Sequence, residues 1–348
     1  MMYSLKNSTT KAIKRVGLLS VFLLAATSSA LAFTACQVTD TGGIDDNSFN
    51  QTAWKGVLDA KEKLGIEGRF LESQAETDYE ANINSLLGGQ CDIIITVGFL
   101  LGDATKTAAE ANPDQKFSIV DFAYDPEVPN ILGQVYATDQ AAFLAGYLSA
   151  GMTKTGILGV FGGINIPPVT IFMDGFHRGA AFYNEQKGTS VNVLGWNPES
   201  REGLFTNNFD SLDDGRAYAQ NLYDEGADIV LPVAGPVGLG SAALADELGT
   251  DALKIIGVDA DLYFTDPEKQ NVYLTSITKR MDATVFDVIK NTMDGTFKGG
   301  LLVGTLSSGG VDLAPFHDME ALVSSDLKNE LEAIRQGIIE GEIKVDGS

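Results

Sequence analysis

Between Val38 and Trp54 the chain reads VTDTGGIDDNSFNQTAW, and this stretch gathers residue types that recognise a small polar molecule. Asp40, Asp45 and Asp46 supply carboxylates, Asn50 supplies an amide that both donates and accepts, and Phe49 supplies a flat apolar face. Gly42 and Gly43 let the backbone turn and come close to a ligand. An aromatic ring among carboxylates and amides suits a flat, polar, uncharged ligand, because a phosphate would be repelled by the aspartates. The same residues also fit an ordinary helix N-terminus, with Asp46 or Ser48 as cap and acidic residues favoured by the helix dipole.

The stretch joins a strand, Phe33–Val38, to a helix, Asn50–Leu64. In open α/β sheets ligands bind at such strand C-terminal ends. The alternation continues with strands at Glu67–Glu72, Asp92–Val97, Lys116–Phe122 and Ile131–Tyr136, and helices at Asp78–Leu87 and Leu101–Ala111. It predicts a mainly parallel sheet covered by helices. A second set starts near Asp139: a helix at Ala141–Met152, a strand at Gly156–Phe161, a helix at Val169–Glu185 and a strand at Ser190–Leu194. Gly175 and Gly179, inside that second helix, imply close helix–sheet packing, since mid-helix glycines otherwise cost about 1 kcal/mol each. A helix at Gly215–Glu225 and a strand at Asp228–Val233 follow. A glycine-rich turn at Ala234–Gly240 then leads to a helix at Ser241–Leu248 and a strand at Lys254–Val258. The tail reads as strands at Tyr273–Ile277 and Gly300–Leu306 and helices at Met281–Asp294 and Ser324–Glu340.

The 348 residues carry 44% apolar side chains and a net charge of −23. Such acidity argues against nucleic acid or an anionic membrane as partner. His177 and His317 lie far apart and the two cysteines form no CxxC, so no metal site and no cofactor are expected. Residues 1–32 read as a signal peptide: Lys6, Lys11, Lys14 and Arg15, then VGLLSVFLLAA, then Ala30-Leu31-Ala32 as cleavage site. No later apolar run reaches the ~18–20 residues of a membrane span. The expectation is an exported, periplasmic protein; lipid attachment at Cys36 is the alternative, although it would set the anchor inside the first strand. Export permits a disulfide. Cys36 in the first strand and Cys91 at the start of the third become neighbours in a 2-1-3 strand order, and two buried free thiols are the alternative.

Taken in order, VTDTGGIDDNSFN at 38–50, DIIITVGF at 92–99, IVD at 119–121, ATDQAAFLAGYLSAGM at 137–152 and FMDGFHRGA at 172–180 resemble the basic membrane protein family of ABC-transporter substrate-binding proteins. GADIVLPVAGPVG at 226–238, IIGVDAD at 255–261 and LTSITKR at 274–280 extend the resemblance along nearly the whole mature chain. The family is similar to purine nucleoside receptors. The resemblance implies a type I periplasmic-binding-protein fold, with two Rossmann-like lobes, three hinge strands and ligand in the cleft. The expected division is 33–138 plus 263–305 for the first lobe and 139–262 plus 306–348 for the second. Carried over residue by residue, it implies a base sandwiched by Phe49 and Phe209, its edge met by Asp40 and Asn50, and a ribose held by Asp121, Gly235, Asp259 and Lys279.

Physical chemistry makes these roles reasonable. Two phenyl rings can stack on a purine, a vicinal diol donates to paired carboxylates, and a lysine offsets their buried charge. Each residue also has a plainer reading. Phe209 fits the core, Asp121 and Asp259 fit helix caps, Lys279 fits the surface, and Asp261 could stand in for Asp259. Pro236 departs from the family pattern. The irregular Trp196–Asn208 segment could bring Trp196 or Phe205 to the ligand. The expected function is capture of a nucleoside by a monomeric protein for an ABC permease and ATPase complex, without catalytic residues. A sugar or another small ligand, a sensor role, and a nucleoside hydrolase are the alternatives; the last would need a metal or a placed acid and base.

Overall fold

The computed structural model describes residues 1–4 and 32–345. The expected signal peptide falls almost wholly outside the described residues. The first run of elements is β1 (Thr34–Val38), α1 (Phe49–Leu64), β2 (Glu67–Leu71), α2 (Tyr79–Ser85), β3 (Ile93–Val97), α3 (Gly102–Ala111), β4 (Lys116–Val120) and β5 (Ile131–Tyr136). The second begins with α4 (Thr138–Met152), β6 (Ile157–Gly162), α5 (Pro167–Lys187) and β7 (Asn192–Leu194), followed by a small hairpin of β8 (Trp196–Asn197) and β9 (Glu202–Gly203). It continues with α6 (Leu212–Asp224), β10 (Ile229–Val233), α7 (Val237–Leu248), β11 (Lys254–Asp259), α8 (Leu262–Thr265) and β12 (Tyr273–Lys279). The chain closes with α9 (Met281–Met293), β13 (Gly300–Gly304), β14 (Val311–Leu313) and α10 (Ser325–Ile339).

The strands form two six-stranded sheets of matching order, β13-β5-β4-β3-β1-β2 and β14-β12-β11-β10-β6-β7. Thus β1 corresponds to β6, β4 to β11, and β5 to β12. All pairings in both sheets are parallel except that of β12 with β14. Continuous apolar strands such as IIITV at Ile93–Val97 are buried on both faces, as parallel sheets covered by helices require. Among the described residues the chain passes between the sheets three times: after β5, after β12 and after β13.

Two features depart from the sequence reading. Tyr273–Lys279, placed with the first set by its position in the chain, pairs with β11 and β14 in the second sheet. The helix after it, α9, packs on α1, and β13 pairs with β5, so only the part of 263–305 that follows Lys279 joins the first sheet and its helices. The passage therefore lies at Lys279–Met281, where no turn motif marks it.

The second departure concerns glycine. Gly179 and Gly175 face another helix rather than the sheet: a Cβ at Gly179 would lie 1.9 Å from the Phe143 carbonyl oxygen, and one at Gly175 would lie 2.4 Å from that of Asp139. Gly146 on α4 approaches the Phe176 oxygen in the same way, at 2.0 Å. The two helices meet backbone to backbone. Likewise Gly240 belongs to α7, which starts at Val237 rather than Ser241, because its missing side chain admits the Leu212 carbonyl of α6.

Cys36 and Cys91 form a disulfide with a Cα–Cα separation of 5.9 Å. Both are buried, and the bridge ties β1 to the residues entering β3.

Candidate functional site

The site begins with the cap of α1. Asp46 carries out the capping: its Oδ1 accepts from the backbone N–H of Ser48 and Gln51, each at 3.0 Å, and its Oδ2 accepts from that of Asn50 at 2.7 Å. One buried carboxylate so satisfies three orphan donors of the first turn. This frees Ser48, whose Oγ donates to the Val258 carbonyl at 3.0 Å and approaches Asp259 Oδ2 at 3.3 Å. The loop after β1 is thereby joined to β11 of the other sheet.

The Asn50 amide nitrogen donates to Asp40 Oδ1 at 2.7 Å and to Asp46 Oδ2 at 3.1 Å. Asp40 Oδ1 also accepts from the Gly42 N–H at 3.0 Å. Space for the Asp40 carboxylate comes from Gly98 (φ 126°), where a Cβ would stand 3.0 Å from Oδ2.

Asp121 follows β4 and Asp259 ends β11, and both adopt left-handed backbone, with φ of 66° and 68°. Non-glycine residues seldom do so, and such conformations gather at functional sites. Lys279 ends β12, with its Nζ 2.6 Å from Asp121 Oδ2 and 3.4 Å from Asp259 Oδ1. Three rings surround the same ammonium: Phe49 at 4.9 Å, Phe172 at 5.3 Å and Tyr136 at 5.8 Å from ring centroid to Nζ.

The charges are uneven, with one buried lysine among four buried carboxylates. Burial pushes the Asp40 carboxyl up to about 6, against the hydrogen bonds from Asn50 and Gly42. Burial lifts Asp46 to about 7 despite its three backbone donors. Asp121 is also raised by burial, which outweighs Lys279. For Lys279, burial alone would lower the pKa, but Asp121 and Asp259 more than offset it and hold the ammonium charged.

Asp40, Phe49, Asn50, Asp121, Phe209, Gly235, Asp259 and Lys279 all line one cavity of about 590 Å³, measured out to its mouth. That size suits a small molecule. Phe209 leans on Gly163, where a Cβ would come within 2.3 Å of its ring. Gly235 (φ 54°) and Pro236 bring the start of α7 to the wall.

Sequence reasoning passed over much of the apolar wall: Phe99, Leu100, Ile166, Pro168, Val169, Phe172, Val233 and Val258. Phe172 sits on the buried face of α5 and carries no local signal of a lining role. Trp196 and Phe205 stand elsewhere. Trp196 is buried with its indole N–H donating to Asp174 Oδ1 at 2.8 Å, and Phe205 meets it edge-on at 6.0 Å and packs on Gly162. Asp261 is not in the wall either: it accepts from the Tyr263 N–H at 3.3 Å to cap α8 and pairs with His317 Nε2 at 2.8 Å. Among the described residues no group of three or more His, Cys, Asp or Glu is arranged to hold a metal ion, and no helix is long and apolar enough to cross a membrane.

Residues 33–348 match the family described as ABC transporter substrate-binding protein PnrA-like. The chain is 32% identical over 327 residues to the ABC transporter nucleoside-binding protein BmpA of Lactococcus lactis subsp. cremoris, covering 89% of this chain and 88% of that one. It is 33% identical over 307 residues to basic membrane protein A of Borreliella burgdorferi, covering 87% and 85%. Among solved structures, an ABC transporter solute-binding protein from Aeropyrum pernix K1 superposes with a TM-score of 0.80 at 27% identity, covering 90% of this chain and 92% of that one.

Proposed function

The chain belongs to the PnrA-like family of ABC transporter substrate-binding proteins, and from that premise we propose that it captures a purine nucleoside in the cavity between its two sheets. The observation that carries the reading is the distribution of chemistry around that cavity. Aromatic faces from both halves, Phe49 and Phe209, stand with one polar cluster of Asp40 and Asn50 and a second of Asp121, Asp259 and Lys279. A nucleoside has matching parts: a flat base with a polar edge, and a diol.

In this reading the rings stack on the base, at about 1–3 kcal/mol per stacked base. Asp40 and Asn50 meet its edge. Asp121 and Asp259 accept from the ribose hydroxyls while Lys279 keeps their charge tolerable. The excess of carboxylates disfavours phosphorylated ligands. Because the wall draws on both sheets, bound ligand favours the state in which the halves are close. The protein acts as a monomer outside the cytoplasmic membrane and passes its cargo to a permease and ATPase complex.

Calorimetric titration tests this. The mature protein, unfolded and refolded to strip carried-over ligand, is titrated with purine nucleosides, uridine, adenine, ribose and glucose. Tight binding of a purine nucleoside, with far weaker binding of free base or ribose, is the expected result. Binding of a sugar in place of any nucleoside would overturn the reading.

A further inference from the structure

The hydrogen bonds at the base end of the cavity are lopsided. The Asn50 amide nitrogen is spent on two carboxylates, Asp40 at 2.7 Å and Asp46 at 3.1 Å. This fixes the orientation of the amide, since the reversed one would set its oxygen against both carboxylates. What remains is Asn50 Oδ1, an acceptor without a hydrogen-bond partner among the described residues, on a residue only 1% exposed. A buried carbonyl left so is expensive unless something donates to it.

Asp40 is in the same position. Its Oδ1 accepts from both Asn50 and the Gly42 N–H, while its Oδ2 lies over Gly98 and accepts from no group among the described residues. Both residues line the cavity. This end of the cavity wall therefore carries two residues in hydrogen-bond contact, each with one acceptor that no described group satisfies, while the Asn50 amide donors are already taken.

Building on the nucleoside reading above, we propose that this acceptor pair selects guanosine over adenosine, because guanine offers two adjacent donors, N1–H and the 2-amino group, on one edge. Hypoxanthine offers N1–H alone. Adenine sets the lone pair of its N1 beside the 6-amino donor, so one of the two acceptors would face another acceptor. Its other edge has the same mixture, the 6-amino group beside N7. The free pairs of Asp40 and Asn50 are thus met in full by guanine, in part by hypoxanthine, and against repulsion by adenine.

A ligand series on the unmodified protein tests this without any variant: guanosine, inosine, adenosine and 1-methylguanosine, titrated calorimetrically at pH 8, above the value of about 6 to which burial pushes the Asp40 carboxyl. Guanosine should bind tightest, with about tenfold or greater loss for each donor removed, as expected for hydrogen bonds to charged or buried acceptors. Methylation at N1 blocks one donor and adds bulk at the acceptor pair, so 1-methylguanosine should fall below inosine. Asp40→Asn provides a second readout: its new amide can donate to adenine N1, so the guanosine-to-adenosine ratio should fall at least tenfold or invert. Equal or tighter binding of adenosine, or unimpaired binding of 1-methylguanosine, would overturn the selection while leaving the nucleoside reading intact. Failure of every nucleoside to bind would remove both.

Discussion

Asp121 and Asp259 occupy equivalent places in the two halves, each in left-handed backbone at the C-terminal end of the third strand of its sheet, and both reach the same Lys279 ammonium. The lysine is only 4% exposed, and each aspartate side chain 8%. A triad like this resists removal of its centre. The bonds themselves contribute little net stability after desolvation, but an unpaired buried charge is costly.

Lys279→Met should therefore destabilise the ligand-free protein by about 3–5 kcal/mol, the range for breaking a buried ion pair from one side. Urea denaturation measures this. Part of the loss should return in the double variant Lys279→Met/Asp121→Asn, which removes one stranded carboxylate. A double variant no more stable than the single would show that the charges are not coupled.

Acidity should raise stability near neutrality. Asp40 and Asp46 titrate at about 6 and about 7 in the fold, above the ordinary 3.8 of an unfolded aspartate. The folded chain then holds protons that the unfolded chain releases, so stability falls as pH rises from about 4 through about 7 and is lowest above that window. The melting temperature of ligand-free protein should be higher at pH 5 than at pH 8. Because general charge repulsion in so acidic a chain acts in the same direction, the diagnostic comparison is Asp40→Asn, which should show a smaller difference between the two pH values. An unchanged difference would assign the effect to the surface.

Reduction should loosen the first half. The bridge between Cys36 and Cys91 spans 55 residues of sequence. Chain-entropy arguments put its contribution at roughly 4 kcal/mol for a loop of that length. Cys36→Ala/Cys91→Ala should lower the denaturation midpoint accordingly. Hydrogen exchange should show the added opening in β1 and β3 rather than in the sheet containing β6.

Gly179→Ala should be among the most damaging of single-carbon additions. Its Cβ would meet the Phe143 carbonyl at 1.9 Å, so α4 and α5 must separate. A loss of about 3 kcal/mol is expected from overpacking, against the gain in helix propensity that alanine normally brings. A neutral or stabilising outcome in thermal denaturation would contradict the backbone-to-backbone contact.

Much of this molecule is legible from its residues. Runs such as IIITV and IVLPV declare buried parallel strands, and the βα alternation declares the layering. Asp40, Asp121 and Asp259 stand at the ends of apolar strands, where a carboxylate also suits a helix cap, and it is the family resemblance that singles them out as a set. Other features are settled only by distant contacts. That Gly240 lies within a helix depends on the Leu212 carbonyl of a neighbour, which no local pattern encodes. Tyr273–Lys279 joins the second sheet through its partners β11 and β14. Phe172 lines the cavity because of where α5 is docked, and its sequence surroundings are those of any core phenylalanine.

The matching strand orders of the two sheets raise a question of handedness for the cargo. A cleft between halves of matching strand order would accept a ligand either way round if its two ends were alike. They are not. Beyond β1 come Asp40 and the amide of Asn50, whereas the corresponding β6 ends at Gly162 and is followed by Gly163, the two overlain by the rings of Phe205 and Phe209. The two strand ends therefore present different chemistry, a carboxylate with an amide on one side and phenyl rings over glycine on the other, so the cavity itself has a head and a tail.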